Sequence, residues 1–266
     1  MSTRPVALVT GSARRLGRTI ALELAAHGWD VAVHYRGSAD DAAQTVAMAG
    51  EHGAAAHALQ ADLADEAACG ELVGLVRAQF GRVDAVVNNA SLFEHDTIND
   101  FSVATMERHW RANTAPALIL ARALHAAGGG CVVNLLDQKL WNPNPDHLSY
   151  TLSKAALESA TTLLAMALAP RTRVVGVAPG LTLPSGPMDE AEFERARRMT
   201  PLQRSSTPED VARAVRFVLD SPAMTGTTLL VDGGQHLLAQ SRDVLYLARD
   251  DAATEGARAP NKGPSP

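Results

Sequence analysis

Seven short apolar runs rich in β-branched residues alternate along this chain with stretches whose apolar residues recur at helical spacing, and few folds accept that order. PVALVTG, WDVAVHY, AAAHALQAD, DAVVNNA, GGCVVNLLD, TRVVGVAPG and TTLLVDGG are the expected strands. Between them RLGRTIALELAAHG, SADDAAQTVAMAGEHG, DEAACGELVGLVRAQFG, FSVATMERHWRANTAPALILARALHAAG, LSYTLSKAALESATTLLAMAL and SSTPEDVARAVRFVLD are the expected helices, the fourth with Pro116 placed to bend it. A strand can return in the same direction only after a long connection, so this alternation implies parallel strands with crossover helices. The expected architecture is one α/β domain: a doubly wound parallel seven-stranded sheet with helices on both faces and its ligand at the carboxyl ends of the strands.

A chain of 266 residues, 46% of them hydrophobic, supplies the core of one such domain without a second. The net charge of -5, with only the short cluster Arg14, Arg15 and Arg18, argues against a nucleic-acid partner. No apolar stretch reaches the length of a membrane span and the N-terminus runs directly into a strand, so the expected location is cytoplasmic, with no membrane partner. Cys69 and Cys131 lack metal-ligand spacing and read as inert thiols in a reducing compartment, and no metal is expected. His27, His52, His57 and His125 read as helix ends or solvated faces. The domain is expected to span 1–247; beyond SRDVLYLARD the run DAATEGARAPNKGPSP has no apolar period, so 248–266 is expected to be a disordered tail.

The chemistry-bearing residues fall where the strands are expected to end. Thr10-Gly11-Ser12-Ala13-Arg14-Arg15-Leu16-Gly17 joins the first strand to the first helix; its glycines allow a tight turn and close packing, and the free amides of the helix N-terminus favour a pyrophosphate. The second strand ends in His34-Tyr35-Arg36-Gly37-Ser38, with a cation where a cofactor bearing a free ribose hydroxyl would need an acid, which favours NADPH/NADP+ over NAD. Asp62, followed by Leu63 after the third strand, can accept from an adenine amine or cap a helix. Asn88-Asn89-Ala90-Ser91 ends the fourth strand with small residues that let backbone approach a cofactor while their amides tie strands together. Asn113, a poor helix-interior residue, points to a task for its amide. Tyr150 and Lys154 stand one turn apart on one helix face, where an ammonium beside a phenol favours the phenolate and makes proton exchange near neutral pH feasible. After Pro179-Gly180 a long loop with Pro184, Gly186 and Pro187 and a short charged helix is placed to act as a lid, with Leu181, Thr182 and Met188 as candidate substrate contacts.

On these residues (Thr10-Gly11 with Gly17, Asn88-Asn89-Ala90, Asn113, Tyr150 with Lys154, Pro179-Gly180 and Val231-Asp232-Gly233-Gly234) the chain closely resembles the short-chain dehydrogenase/reductase family over residues 5–238. The resemblance implies a Rossmann fold, Tyr150 as proton donor, Lys154 on the nicotinamide ribose and lowering the tyrosine pKa, Asn113 holding a water in a proton relay, and a homotetramer or dimer. Two departures are informative: Arg15 stands where the family usually has a third glycine, and Asp137 where it usually has a serine ahead of the tyrosine. Both, with the TGxxxRLG turn, the strand end at His34-Tyr35 and the NNAS sequence followed by Phe93, resemble the pteridine reductase branch, whose members reduce dihydropterins or dihydrofolate with NADPH.

Chemistry supports that branch independently. A serine donates to a carbonyl oxygen, whereas an ionised aspartate only accepts and would repel a developing alkoxide. A ring C=N instead needs a proton on nitrogen, which an Asp137–Tyr150 pair fed through Lys154 and Asn113 can supply. Phe93 offers a face for stacking a pterin, Arg15 can reach both cofactor phosphate and substrate, and Leu181 lies beside them. The alternatives are an NADP-dependent carbonyl or quinone reductase, and a non-catalytic NADPH-binding sensor or scaffold.

Overall fold

The computed structural model describes residues 3–184 and 188–249. Seven strands, β1 (Val6–Val9), β2 (Asp30–Tyr35), β3 (Ala56–Gln60), β4 (Ala85–Asn88), β5 (Gly130–Leu135), β6 (Thr172–Pro179) and β7 (Thr228–Val231), form one sheet in the order β3-β2-β1-β4-β5-β6-β7. Every pairing is parallel, with Ala7 opposite Val31 on one side and Ala85 on the other. The direction of winding reverses between β1 and β4, which opens a crevice at their carboxyl ends.

Alternation within each strand divides the side chains between two cores. Ala7, Val9, Val31, Val33, Val87, Val133 and Val175 face helices α1 (Arg15–Ala26), α2 (Ala39–Glu51) and α8 (Pro208–Asp220), meeting Ile20, Leu24, Val211 and Val215. Val6, Leu8, Val86, Val132 and Val174 face α3 (Glu66–Phe80), α5 (Ala115–Ala126) and α6 (Leu148–Leu168), meeting Leu72, Val76, Leu120 and Leu124. Burial of each such valine, leucine or isoleucine side chain stabilises by about 1.5–3 kcal/mol, which is why strands covered on both faces read as unbroken apolar runs.

Local chemistry sets the helix ends. Asp65 caps α3 by accepting from the Ala67 and Ala68 amides, and Gly81 closes it at φ 80°. Thr207 and Asp210 form a reciprocal capping box on α8, with Pro208 in its first turn. The single long helix expected around Pro116 is instead α4 (Val103–His109), a π-helical turn (Trp110–Thr114) and α5. Pro116 has no N–H to give and sits in the first turn of α5, while the Ala115 amide reaches back to the Trp110 carbonyl, so the wider turn absorbs the break.

The charged helix α7 (Glu190–Arg198) follows β6 and carries an Asp189–Glu192 capping box. Residues 244–249 are helical and pack Val244, Leu245 and Ala248 against Met188, Phe193 and Ala196. The ordered chain therefore passes the expected boundary at 247: Ala248 is fully buried and Arg249 pairs with Glu192. Residues 250–266 of the expected tail lie outside the described residues, as do Gly186 and Pro187 of the expected lid. Among the described residues no helix is long and apolar enough to cross a membrane.

Gly17 is the packing point of the first βα unit, since a Cβ there would lie 2.3 Å from the Gly11 carbonyl oxygen and 2.6 Å from the Asn89 amide nitrogen. Backbone cannot yield to it as a flexible side chain would. Gly17→Ala is expected to destabilise by about 1–3 kcal/mol, read as a lower urea midpoint with an unchanged slope.

Candidate active site

The turn after β1 is built from interlocking hydrogen bonds. The Thr10 hydroxyl donates to the Val87 carbonyl (3.3 Å) and accepts the amides of Asn89 (2.9 Å) and Ala90 (3.0 Å). The Asn89 side-chain amide returns to the carbonyls of Thr10 (2.9 Å) and Gly11 (3.3 Å). Gly11 takes φ 62° and Arg15 φ 54°, so the position where the family usually places its third glycine is a left-handed one, occupied here by a larger residue. The first turn of α1 has neither a side-chain cap nor an acid, and its amides keep their capacity for an anion.

Other expected cofactor residues divide between binding positions and structural ones. His34 is corrected to a strut: its ring is buried, Nδ1 accepts the Gly11 amide at 3.0 Å and Nε2 therefore donates to the Ala61 carbonyl at 3.2 Å. Burial lowers its pKa to about 4, so it is neutral at pH 7. Tyr35 packs on the core and Leu63 lies within it, which leaves Leu63 only its backbone to offer. Arg36 is exposed at the end of β2, Ser38 stands at the start of α2, and the nearby acid Asp41 is held by Arg18 at 3.3 Å. Asp62 is exposed and accepts the Ala64 amide, while the cap of α3 is Asp65 rather than Asp62.

At the carboxyl ends of the central strands lies a cavity of about 300 Å³ lined by Arg15, Leu16, Asn89, Ser91, Phe93, Asp137, Tyr150, Lys154, Pro179, Gly180, Leu181 and Thr182, among others. The Tyr150 hydroxyl donates to Asp137 Oδ2 at 2.8 Å, and Oδ1 of the same carboxylate accepts the Lys139 amide at 2.8 Å. Lys154 Nζ donates to the Leu135 carbonyl at 2.7 Å and stands 5.8 Å from the Tyr150 ring centre. Burial lowers the Lys154 ammonium to about 8, still cationic at pH 7. Burial first, and the Asp137 carboxylate second, push the Tyr150 phenol well above its ordinary value, correcting the expectation that Lys154 lowers it. Burial likewise raises the Asp137 carboxyl, against the bonds from Lys139 and Tyr150 that favour its charge. The two groups form one proton-sharing pair whose proton rests on the phenol in this state.

The Asn113 side chain is fully engaged within the protein. In the π turn its amide donates to the Leu92 carbonyl (3.0 Å) and Ser153 Oγ (3.0 Å), and its oxygen accepts from the Leu92 amide (2.6 Å) and Ser91 Oγ (3.3 Å). That uses both donors and both lone pairs, so the side chain fastens the loop after β4 to α6 and leaves only the main chain of Asn113 for a water. The loop's Phe93 stacks one face on His147 at 4.2 Å and meets Tyr150 edge-on at 4.6 Å, yet stays 42% exposed at the cavity. Arg15 lines the cavity and its guanidinium donates to the Pro184 carbonyl at 2.7 Å, bridging the glycine turn to the loop after β6. Met188 belongs to the small core under α7 and does not line the cavity.

Sequence reasoning missed Lys139, Gln235, Asp243 and Val244, which also line the cavity. Lys139 and Asp243 pair at 3.2 Å across 104 positions of chain, a separation no local pattern bridges. Buried Gln235 accepts the Leu181 amide at 3.2 Å. Among the described residues no group of His, Cys, Asp and Glu could hold a metal ion.

The sequence pattern of the family described as enoyl-(acyl carrier protein) reductase matches residues 11–236. The crystal structure of FolM alternative dihydrofolate reductase 1 from Brucella canis, complexed with NADP, superposes with a TM-score of 0.85 at 40% identity, covering 90% of this chain and 96% of that one. Pteridine reductase 1 of Leishmania tarentolae is 33% identical over 281 residues, covering 88% of this chain and 97% of the relative. A Streptomyces violaceoruber protein named as ketoacyl reductase 2 of a granaticin polyketide synthase is 36% identical over 249 residues, with coverage of 88% and 97%. With its seven parallel strands and the Tyr150–Lys154 face at their carboxyl ends, this chain belongs to the short-chain dehydrogenase/reductase family, on its pteridine reductase-like branch.

Proposed function

We propose that this protein is an NADPH-dependent reductase that transfers hydride to a C=N bond of a pterin-type small molecule, a dihydropterin or dihydrofolate-like compound, with Tyr150 as proton donor. The observation that carries the reading is the 2.8 Å hydrogen bond from the Tyr150 hydroxyl to Asp137. A carboxylate beside the proton donor opposes a developing alkoxide, whereas protonation of a ring nitrogen requires only that the pair hold a proton and release it. A pteridine reductase and an alternative dihydrofolate reductase among the relatives support the same chemistry. A ketoacyl reductase is about as similar, so the distinction from carbonyl reduction rests on Asp137.

The residues present fit the dinucleotide. The uncapped N-terminus of α1 suits its pyrophosphate, the exposed Arg36 suits a 2′-phosphate, and buried Lys154 is placed beside Tyr150 for the nicotinamide ribose. Reduced nicotinamide supplies the hydride. Tyr150 gives its proton to the substrate nitrogen as the C=N bond becomes CH–NH, and Asp137, whose raised carboxyl can take up a proton from solvent, passes one back to the phenolate. Phe93 offers its remaining exposed surface to a flat ring, and Leu181 and Arg15 line the same cavity.

The reading carries with it a homotetramer, supported by Leu152, Leu163 and Met166, whose spacing puts them on one exposed apolar stripe of α6. Light scattering checks it, with four chain masses expected.

Asp137→Asn keeps the shape but removes the proton-sharing partner, and is expected to lower kcat on dihydropterin at least tenfold with little change in NADPH affinity. Asp137→Ser should leave pterin turnover equally low and admit weak ketone reduction. Turnover of ketones or quinones but of no dihydropterin by the unaltered protein refutes the assignment. For the cofactor, Arg36→Asp should weaken NADPH binding by about 1.5–3 kcal/mol and move preference toward NADH, as measured by fluorescence titration with both.

A further inference from the structure

Asp137 and Tyr150 share their cavity with a second charged pair that the reaction as drawn does not use. Lys139 Nζ lies 3.2 Å from Asp243 Oδ2, and its side chain is only 5% exposed. A lysine so buried is tolerable because it is paired, and loss of the partner would leave an isolated buried charge. The pair joins two segments remote in sequence. Lys139 belongs to the short 3-10 turn Gln138–Leu140 that follows Asp137, and its amide is the donor on Asp137 Oδ1. Asp243 opens the C-terminal helical segment, where its Oδ1 accepts the Leu245 amide at 3.2 Å.

That segment is fixed from both sides. The Asp243 amide donates to Asp146 Oδ2 at 2.8 Å, just ahead of α6, and Arg242 pairs with the same carboxylate at 2.9 Å. Val244 lines the cavity while Leu245 and Ala248 are buried against α7. The C-terminal segment thus forms a wall of the cavity that holds Asp137, and the Lys139–Asp243 pair fastens it to the loop after β5 at the turn next to Asp137, while Asp146 fastens it at the far end of the same loop.

We propose that Lys139 and Asp243 are positioning residues that clamp the C-terminal segment onto the cavity and set, by their two opposed charges, the pH range in which the Asp137–Tyr150 pair delivers its proton. The inference rests on that pair being the proton source. Among the described residues lining the cavity, the charged and titratable groups besides Asp137 are Tyr150 and Lys154 from α6, Lys139 from its own turn, Asp243 from the C-terminal segment and Arg15 from the glycine turn. Of these, Lys139 favours the ionised carboxylate and Asp243 the protonated one, in accord with their signs. The phenolate left by proton delivery regains its proton through Asp137, so the falling limb of kcat against pH follows the Asp137 titration.

The test reads that titration directly, by carbon NMR of aspartate-labelled protein without substrate, the Asp137 signal being assigned by its absence in Asp137→Asn. Lys139→Met is expected to move the titration up and Asp243→Asn down, each by roughly half a pH unit or more for a unit charge at this range. The double variant, which leaves neither charge unpaired, should lie between them and remains informative if a single variant folds poorly. Tryptic cleavage after Arg242 should be faster in both single variants. Shifts of the same sign, no shift, or unchanged cleavage overturn the clamp. If the shifts are opposite but no dihydropterin is turned over, the clamp stands and the substrate reading fails. If dihydropterin is turned over and its falling limb ignores both substitutions, the substrate reading stands and the clamp fails.

Discussion

One threonine hydroxyl holds the two central strands where their connections part. Thr10 sits at the end of β1, donates to the carbonyl of Val87 and accepts two successive amides from the chain leaving β4. Parallel strands fan apart beyond their last shared hydrogen bond, and here the gap is the crevice a ligand needs. The hydroxyl keeps it from widening, while Asn89 turns its amide back onto Thr10 and Gly11 so that the glycine turn cannot move independently of β4. The loop after β4 then runs to Asn113, which fixes Leu92 through both amide and carbonyl, and so Phe93 arrives beside Tyr150 without belonging to any regular element. A chain of small polar side chains transmits the position of the sheet to the aromatic edge of the cavity.

Burial governs the charge state of the proton-transfer groups more strongly than their sequence spacing suggests. A lysine one turn from a tyrosine on an exposed helix would draw the phenol toward ionisation. In this cavity Lys154 spends its shortest hydrogen bond on a backbone carbonyl, and the group touching the phenol is a carboxylate. A low-dielectric setting penalises a phenolate beside Asp137, and the same penalty raises the carboxyl. The outcome is a pair with its proton secured, suited to giving it up only when a more basic atom arrives.

Fold and cavity were unequally legible in the sequence. Strands and helices with a buried face declared themselves because burial imposes the two-residue and helical periods, and the limits of α6 coincide with the run read from its apolar spacing. The functional positions at strand ends followed from the topology together with the motifs there and the family resemblance they carry. What periodicity could not convey was the direction of a side chain: His34 and Leu63 lie where a cofactor residue is expected, yet both point into protein. Nor could it convey partners far apart in sequence, as with Lys139 and Asp243, or the π turn, whose cause at Pro116 was visible although its form was not. Arg15 shows the converse, a departure from the glycine pattern noted in sequence whose left-handed backbone only the structure explains.

The buried imidazole under the glycine turn carries a consequence for acid tolerance. His34 Nδ1 must stay unprotonated to accept the Gly11 amide, and burial keeps it so down to about pH 4, whereas in the unfolded chain the ring gains its proton near 6.5. Between those values the unfolded state binds more protons than the folded one, so stability declines as pH falls from 6.5 towards 4 and this contribution levels off below. The difference amounts to roughly 3 kcal/mol. Because the ring touches the turn itself, acid should loosen the cradle for the nucleotide through the loss of its bond to the Gly11 amide.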